Sequence, residues 1–584
     1  MRGFRTASID SIERTMSVIT DVLSMAASSL ELQNARLLDG TGGPSRRAHV
    51  TVADGRIRRI GSEPAGDDRE LDLDGSCLAP GFIDMHAHSE LRLLENPAAV
   101  EKVTQGITTA VLGQDGVSVA PVPTAKKSEW SSRIESLDGE IDGEWPWDTV
   151  AEYLDELAAV EPAINTVYYA PHGNLRSLVA DFEDRSLSAD EQHALEEHLR
   201  AALEQGAFGM SKGMIYPPSS YARDEELVGL AGVLAEYDSF MISHTWNETD
   251  HVVESIKRYV DICERGGCQA HVSHLKVGGQ DNWGRSREIT SLFDAITRSG
   301  QRVSFDQYPY TAGSTMLTAL LPPWARLGTE EEMLQRLRDD QTVADIEADI
   351  SHARVDPETE PTIPRAEWEN LAHAAGDWNS ILITHTASGQ YQGKTVAEIA
   401  GERDSSPVET VCELLVEENL TVTMVDFIMS EDDIRRFVRD SRGTFCTDGI
   451  YGGKPHPRVV GTFAKIIQQY VESEGALSPE LFAYKAAGHP ADILGLPDRG
   501  YVREGAVADL VVFDPAAVEA NATYDEPMRL SDGFEYVFVG GEIAVEDGEP
   551  TDRANGSVLR STAQWEGRQR PALDRGQASQ LQAD

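Results

Sequence analysis

Two histidines one residue apart close a short apolar run, Leu78-Ala79-Pro80-Gly81-Phe82-Ile83-Asp84-Met85-His86-Ala87-His88. In extended chain this spacing puts both imidazoles on one side, and neutral imidazole is the commonest metal ligand. Taken alone, the pair would equally suit a structural strand end. Four further residues take it out of isolation. His244 closes Met241-Ile242-Ser243-His244, His274 closes His271-Val272-Ser273-His274, Asp448 follows an apolar run in Thr447-Asp448-Gly449, and Asp115 follows another. Each of these histidines by itself would more often be structural; for Asp448-Gly449 the alternative is a turn. Together, four imidazoles can hold a divalent ion. A carboxylate beside metal-activated water can take its proton and pass it to a leaving amine. The chemistry expected is metal-dependent hydrolysis.

Such residues must be carried to one place by a scaffold. Strand-like runs at 108–112, 165–170, 208–211, 240–243, 270–273, 303–306 and 443–447 alternate with segments of helical period, such as 189–204 and 225–236. This alternation predicts a parallel sheet. Polar residues at successive strand C-termini are how a (β/α)8 barrel builds its active site. The fold class expected is α/β, with a (β/α)8 TIM-like barrel over 79–499. Two more β-like runs, 381–384 and 420–425, exceed the count of eight. They lie within or next to an acidic segment, about 322–402, read as an insertion before the last barrel strand that can act as a lid or substrate selector.

Short strands between 30 and 78, with a hairpin signal at Asp54-Gly55, reappear at 508–513 and 536–541. Neither set suffices for a stable sheet, so one small β-sandwich domain is expected from both termini, 30–78 with 500–550. Residues 1–29 read as a disordered extension, with Met16 and Met25 as alternative starts, and 551–584 as a poorly ordered tail.

The chain of 584 residues carries 98 acidic against 51 basic residues, a formal charge of −47, and only 10 of the basic residues are lysine. Salt screens the self-repulsion of such a surface, so a salt-adapted, halophilic protein is expected, with an ordinary acidic protein as the alternative. Nucleic acid and anionic membrane are not expected as partners. Five scattered cysteines without C-x-x-C spacing point to a reducing, cytoplasmic setting. No apolar run approaches the roughly 18 residues that span a bilayer.

The stretches 79–88, Gly106-Ile107-Thr108-Thr109, 206–221, 272–285, 306–314, Thr447-Asp448-Gly449 and Gly453-Lys454-Pro455-His456-Pro457-Arg458 resemble the D-aminoacylase (N-acyl-D-amino-acid deacylase) family of the amidohydrolase superfamily. The resemblance covers roughly 30–550. It implies hydrolysis of N-acyl-D-amino acids to a carboxylate and a D-amino acid. His86 and His88 match the family's first-strand metal pair, His244 and His274 the histidines of strands five and six, and Asp448 the catalytic aspartate. Lys276, Tyr308 and Arg458, with Ser314 nearby, match residues that hold the carboxylate of a small-molecule substrate. His172, in a recurring family motif, is expected near the pocket, and His456 to position the Arg458 loop.

One departure stands out. Better-known family members have Asn-Cys-Gly after the second strand, with the thiolate on zinc, where this chain has Gln114-Asp115-Gly116. Asp115 is either a zinc ligand or a turn residue. As a ligand it is harder than thiolate and suits Mn or Co as well as zinc, at one or two divalent ions. Lys212 matches a position where some superfamily members bridge two metals with a carboxylated lysine. That reading would favour a dihydropyrimidinase- or dihydroorotase-like hydrolase of cyclic amides. A non-catalytic binding protein on the same scaffold is the third reading.

Overall fold

The computed structural model describes residues 29–66, 69–139, 141, 143–351, 368–551, 553 and 555–562. The expected N-terminal extension, save residue 29, and the tail beyond 562 lie outside them. Eight parallel strands form the scaffold of the site: β1 (Phe82–Asp84), β2 (Ile107–Leu112), β3 (Asn165–Tyr168, continued by Ala170–Pro171), β4 (Met210–Gly213), β5 (Phe240–His244), β6 (Gln269–Val272), β7 (Val303–Gln307) and β8 (Gly443–Phe445). Neighbours pair in sequence order from β1 to β8. The ring closes where Met85 N donates to Phe445 O and Asp448 N to His86 O. Nearly every strand residue is buried, as expected of strands covered by side chains inside and helices outside.

The helices show why the segments between strands fold locally. Ser188 and Thr149 each form a capping box, with Glu191 and Glu152 respectively, satisfying amides the first helical turn leaves unpaired. The helix Val252–Gly266 buries Val253, Ile256, Tyr259, Val260 and Cys263 on one face, the spacing of an amphipathic helix against a sheet.

The two surplus β-like runs stay out of the barrel. Ile381–Thr386 and Val422–Asp426 pair antiparallel, and Gly313–Met316 joins them in a three-stranded sheet. A second sheet of nine strands draws on both ends of the chain: Cys77–Pro80 pairs antiparallel with Leu510–Phe513 and parallel with Leu30–Leu37. Its own core includes Leu32, Val50, Leu78, Leu510, Val512 and Phe538. Part of the segment read as a loose tail is fixed. Thr166 N donates to Ser557 O and Leu559 N to Thr166 O, so residues 557–559 run along β3 and satisfy its free backbone groups.

Candidate metal centre

Six of the residues singled out in the sequence meet at the C-terminal mouth of the barrel. Asp84 fixes where two of them emerge. Its carboxylate accepts from Thr447 N and Oγ1, each at 2.7 Å, and from the buried Lys102 Nζ at 2.7 Å. The ends of β1 and β8 are thereby tied together just before His86 and Asp448.

Asp115 stands between two pairs of histidines. His86 Nε2 and His88 Nε2 each lie 3.6 Å from its Oδ2, and His274 Nε2 lies 3.5 Å from its Oδ1. His244 Nδ1 is 3.1 Å from His274 Nε2. Two ligand groups follow, His86–His88–Asp115 and Asp115–His244–His274, with Asp115 common to both. Both nitrogens of His86 and Oδ1 of Asp115 are buried without a hydrogen-bond partner. Separations near 3.5 Å are long for hydrogen bonds. They match the roughly 3.3 Å between ligand atoms that share a tetrahedral ion at 2.0–2.1 Å. The residues fit a divalent ion, or two sharing Asp115.

The backbone is bent to reach this arrangement. Asp115, His274 and Asp448 all have positive φ, 53°, 31° and 47°, a region uncommon for non-glycine residues and frequent at functional sites. The loop carrying Asp115 presses on the end of β4, where a Cβ on Gly213 would meet Asp115 O at 2.2 Å. Only glycine allows that approach.

The electrostatics are those of a site that gathers positive charge. Burial opposes a charge on His88, but Asp115 and Asp448 outweigh it and push its pKa up to about 10. Burial and Lys276 oppose a charge on His274, and Glu248, Asp448 and Asp115 push it up to about 10. Burial pulls His244 down to about 4. Burial would raise Asp115, yet His86 and His274 hold it well below the usual carboxylate range. Asp448 is likewise held far down against burial, chiefly by Arg458, whose Nη1 lies 2.8 Å from its Oδ2. Its other oxygen faces His86 and His88 at 3.8 and 3.6 Å.

Arg458 also donates to Ser314 O at 3.1 Å and stacks over the Tyr308 ring at 4.7 Å. Ser314 thus acts on it through its carbonyl. His456 Nδ1 accepts from Arg458 N at 3.0 Å, which seats the loop. The Tyr308 hydroxyl and Arg458 Nε are buried without partners. Lys276 also lines the pocket, its Nζ 2.8 Å from Glu248 Oε2 and 2.7 Å from His274 Nδ1.

The bridging alternative for Lys212 falls away, and one expectation, for His172, is corrected. Lys212 does not reach the cluster. Its side chain leaves β4 on the outer face, donates to Ser243 Oγ at 2.8 Å and lies over the rings of Trp246 and Tyr259. Ser211, one residue earlier, takes the inner face and contacts Gly113 O and Gly116 N. His172 is not part of the pocket wall, its ring held by Ser219 and Glu226.

Sequence reasoning missed Glu248, Glu369 and Asp426, which line the pocket with apolar Leu137, Ile215 and Ile428. Glu248 had a weak signal, four residues after His244. Glu369 and Asp426 had none, because the 313–426 region brings them in from outside the barrel. Burial, with the charge of Glu248, raises Glu369 to about 8, and burial raises Asp426 to about 6 despite Lys276.

A closed (β/α)8 barrel with histidines at strands one, five and six around a shared carboxylate defines a class. The chain belongs to the amidohydrolase family, whose model matches residues 69–545. Within it the similarity is to enzymes acting on acylated D-amino acids. A D-aminoacylase of Alcaligenes xylosoxydans xylosoxydans is 31% identical over 537 residues, 91% of this chain and 98% of its own. The crystal structure of an N-acyl-D-glutamate deacylase from Bordetella bronchiseptica, complexed with zinc and a phosphonate mimic of the tetrahedral intermediate, matches with a TM-score of 0.75 at 31% identity, covering 91% of this chain and 100% of that one. A D-aminoacylase described for its binuclear metal centre, with one-metal activation and second-metal attenuation, gives 0.76 at 30% identity, covering 91% and 99%.

Proposed function

We propose that the protein is a metal-dependent hydrolase of N-acyl-D-amino acids, releasing a carboxylate and a D-amino acid. The observation that carries this is the Asp115 carboxylate shared by two histidine pairs, with Asp448 and an unsatisfied Tyr308–Arg458 donor set beside it. The relatives acting on acylated D-amino acids support the same reading.

His86 and His88, with Asp115, and His244 and His274, with the same Asp115, would hold zinc, or Mn or Co in its place, at one or two sites. A divalent ion there polarises the acyl carbonyl and makes water a better nucleophile near neutral pH. Asp448, kept ionised by Arg458, takes the water proton on the oxygen that faces His86 and His88. It then returns that proton to the departing amine nitrogen. Tyr308 Oη and Arg458 Nε donate to the substrate α-carboxylate, and Lys276 adds charge. A carboxylate anchored at one end and a carbonyl held at the cluster fix two substituents of the α-carbon, and the side on which the pocket has room for the side chain then selects the handedness. The acidic surface fits a cytoplasmic enzyme working at high salt.

The test is hydrolysis of paired N-acetyl-D- and N-acetyl-L-amino acids in high salt, with metal content measured on the same sample. D-selective release is expected. Equal turnover of both enantiomers, or none by metal-loaded protein, would overturn the reading. Lys212, the feature that suggested cyclic amides, lies outside the cluster, and no observation favours that alternative.

A further inference from the structure

A second cavity adjoins the first and shares Ile215 and Glu369 with it. It holds about 810 Å³ of atom-free space, part of it open to solvent. Arg326, in the short turn Pro323–Arg326, lines it and is 9% exposed. Its Nη1 donates to Ile215 O at 2.9 Å, and its buried Nε has no partner. Among the described residues no carboxylate forms an ion pair with it. The other two guanidiniums on the wall differ: Arg258 is 2.9 Å from Asp224, and Arg223 is 3.9 Å from Asp184. Trp368, also on the wall, has a buried indole Nε1 without an acceptor.

A buried guanidinium with no counter-charge is unfavourable unless something supplies one. Burial already disfavours its charge, and Tyr221, Tyr216 and Glu369 offset that only in part. Both unsatisfied atoms are donors, so they call for an acceptor. A carboxylate suits the planar fork of arginine best. On the reading proposed above, Tyr308, Lys276 and Arg458 take the α-carboxylate, the first two lining the neighbouring cavity.

We propose that this second cavity is a subsite for a second carboxylate of the substrate, received by Arg326 and Trp368 Nε1. The carboxylate comes either from a dicarboxylic acyl group or from an acidic amino-acid side chain. The proposal rests on the N-acyl-D-amino acid reading and narrows it to dianionic substrates.

The test compares kcat/KM within pairs matched in size. One arm sets N-glutaryl-D-alanine against N-pentanoyl-D-alanine, and the other N-acetyl-D-glutamate against N-acetyl-D-glutamine. In the metal-loaded wild-type protein the anionic member should win by about tenfold or more in one arm, which identifies the source. Arg326→Met should bring that ratio close to one, and Arg326→Lys should restore part of it. Ratios within twofold of one in both arms, with N-acyl-D-amino acids still turned over, would overturn the subsite alone. A preference that survives in Arg326→Met would overturn it too. No turnover of any N-acyl-D-amino acid would overturn the parent reading and this one with it. The wild-type ratios decide even where the Met variant fails to fold.

Discussion

The Arg458 guanidinium lies 2.8 Å from the Asp448 carboxylate, with both side chains buried at the mouth of the barrel. The pair sets when Asp448 can act. Its pKa, held far below the usual carboxylate range against burial by Arg458, keeps it ionised and able to accept a proton at neutral pH. Asp448→Asn should lower kcat by about 10²–10⁴ while bound metal stays unchanged. Full activity with metal bound would refute the assigned role.

Arg458→Met should move the acid limb of the pH–rate profile. Without the guanidinium, burial is opposed only by His274, His88 and His86, and the Asp448 pKa rises. Activity, which needs the ionised form, is then lost at higher pH as pH falls. KM should rise as well, through the lost carboxylate contact. A profile superimposable on the wild type would count against the coupling.

Metal uptake should release protons. Asp115 and Asp448 push the His88 pKa up to about 10 against burial, and ligands must be deprotonated to bind. Affinity therefore falls as pH falls. Titrating zinc into metal-depleted protein in weak buffer measures the release directly. Asp115→Ala should lower metal content at both histidine pairs, because both share that carboxylate.

Lys212 points into the helix layer, so bicarbonate should change neither activity nor metal content. Lys212→Met should retain both. A bicarbonate-dependent gain would reinstate a carboxylated lysine.

The charge of −47 should make stability depend on salt. The screening length falls from about 10 Å at 0.1 M to about 3 Å at 1 M, so self-repulsion fades and Tm should rise with KCl. Calorimetry across that range is the check, and a flat or falling Tm would argue against salt adaptation.

The alternation of strand-like and helical runs, and polar residues closing those runs, were enough to read a (β/α)8 barrel and its histidines directly from the chain. Both signals are local: side-chain period reports which face is buried, and a residue's type reports what it can ligate. The surplus runs at 381–386 and 422–426 misled only in number, since β-like composition does not say which sheet a strand joins. Lys212 shows the limit within a single strand. A shift of one residue exchanges inner and outer faces, and register is set by the neighbouring strands. That Asp115 serves two histidine pairs depends on its loop meeting the bare backbone of Gly213, nearly a hundred residues on. Glu369 and Asp426 in the wall of the metal pocket, and Arg326 in the cavity beside it, are likewise long-range meetings. Residue types and spacing determined what chemistry this chain can do. Barrel closure and the packing of the 313–426 region decided which groups share a cavity, because contacts between distant segments are set by tertiary packing and leave no periodic trace in the sequence.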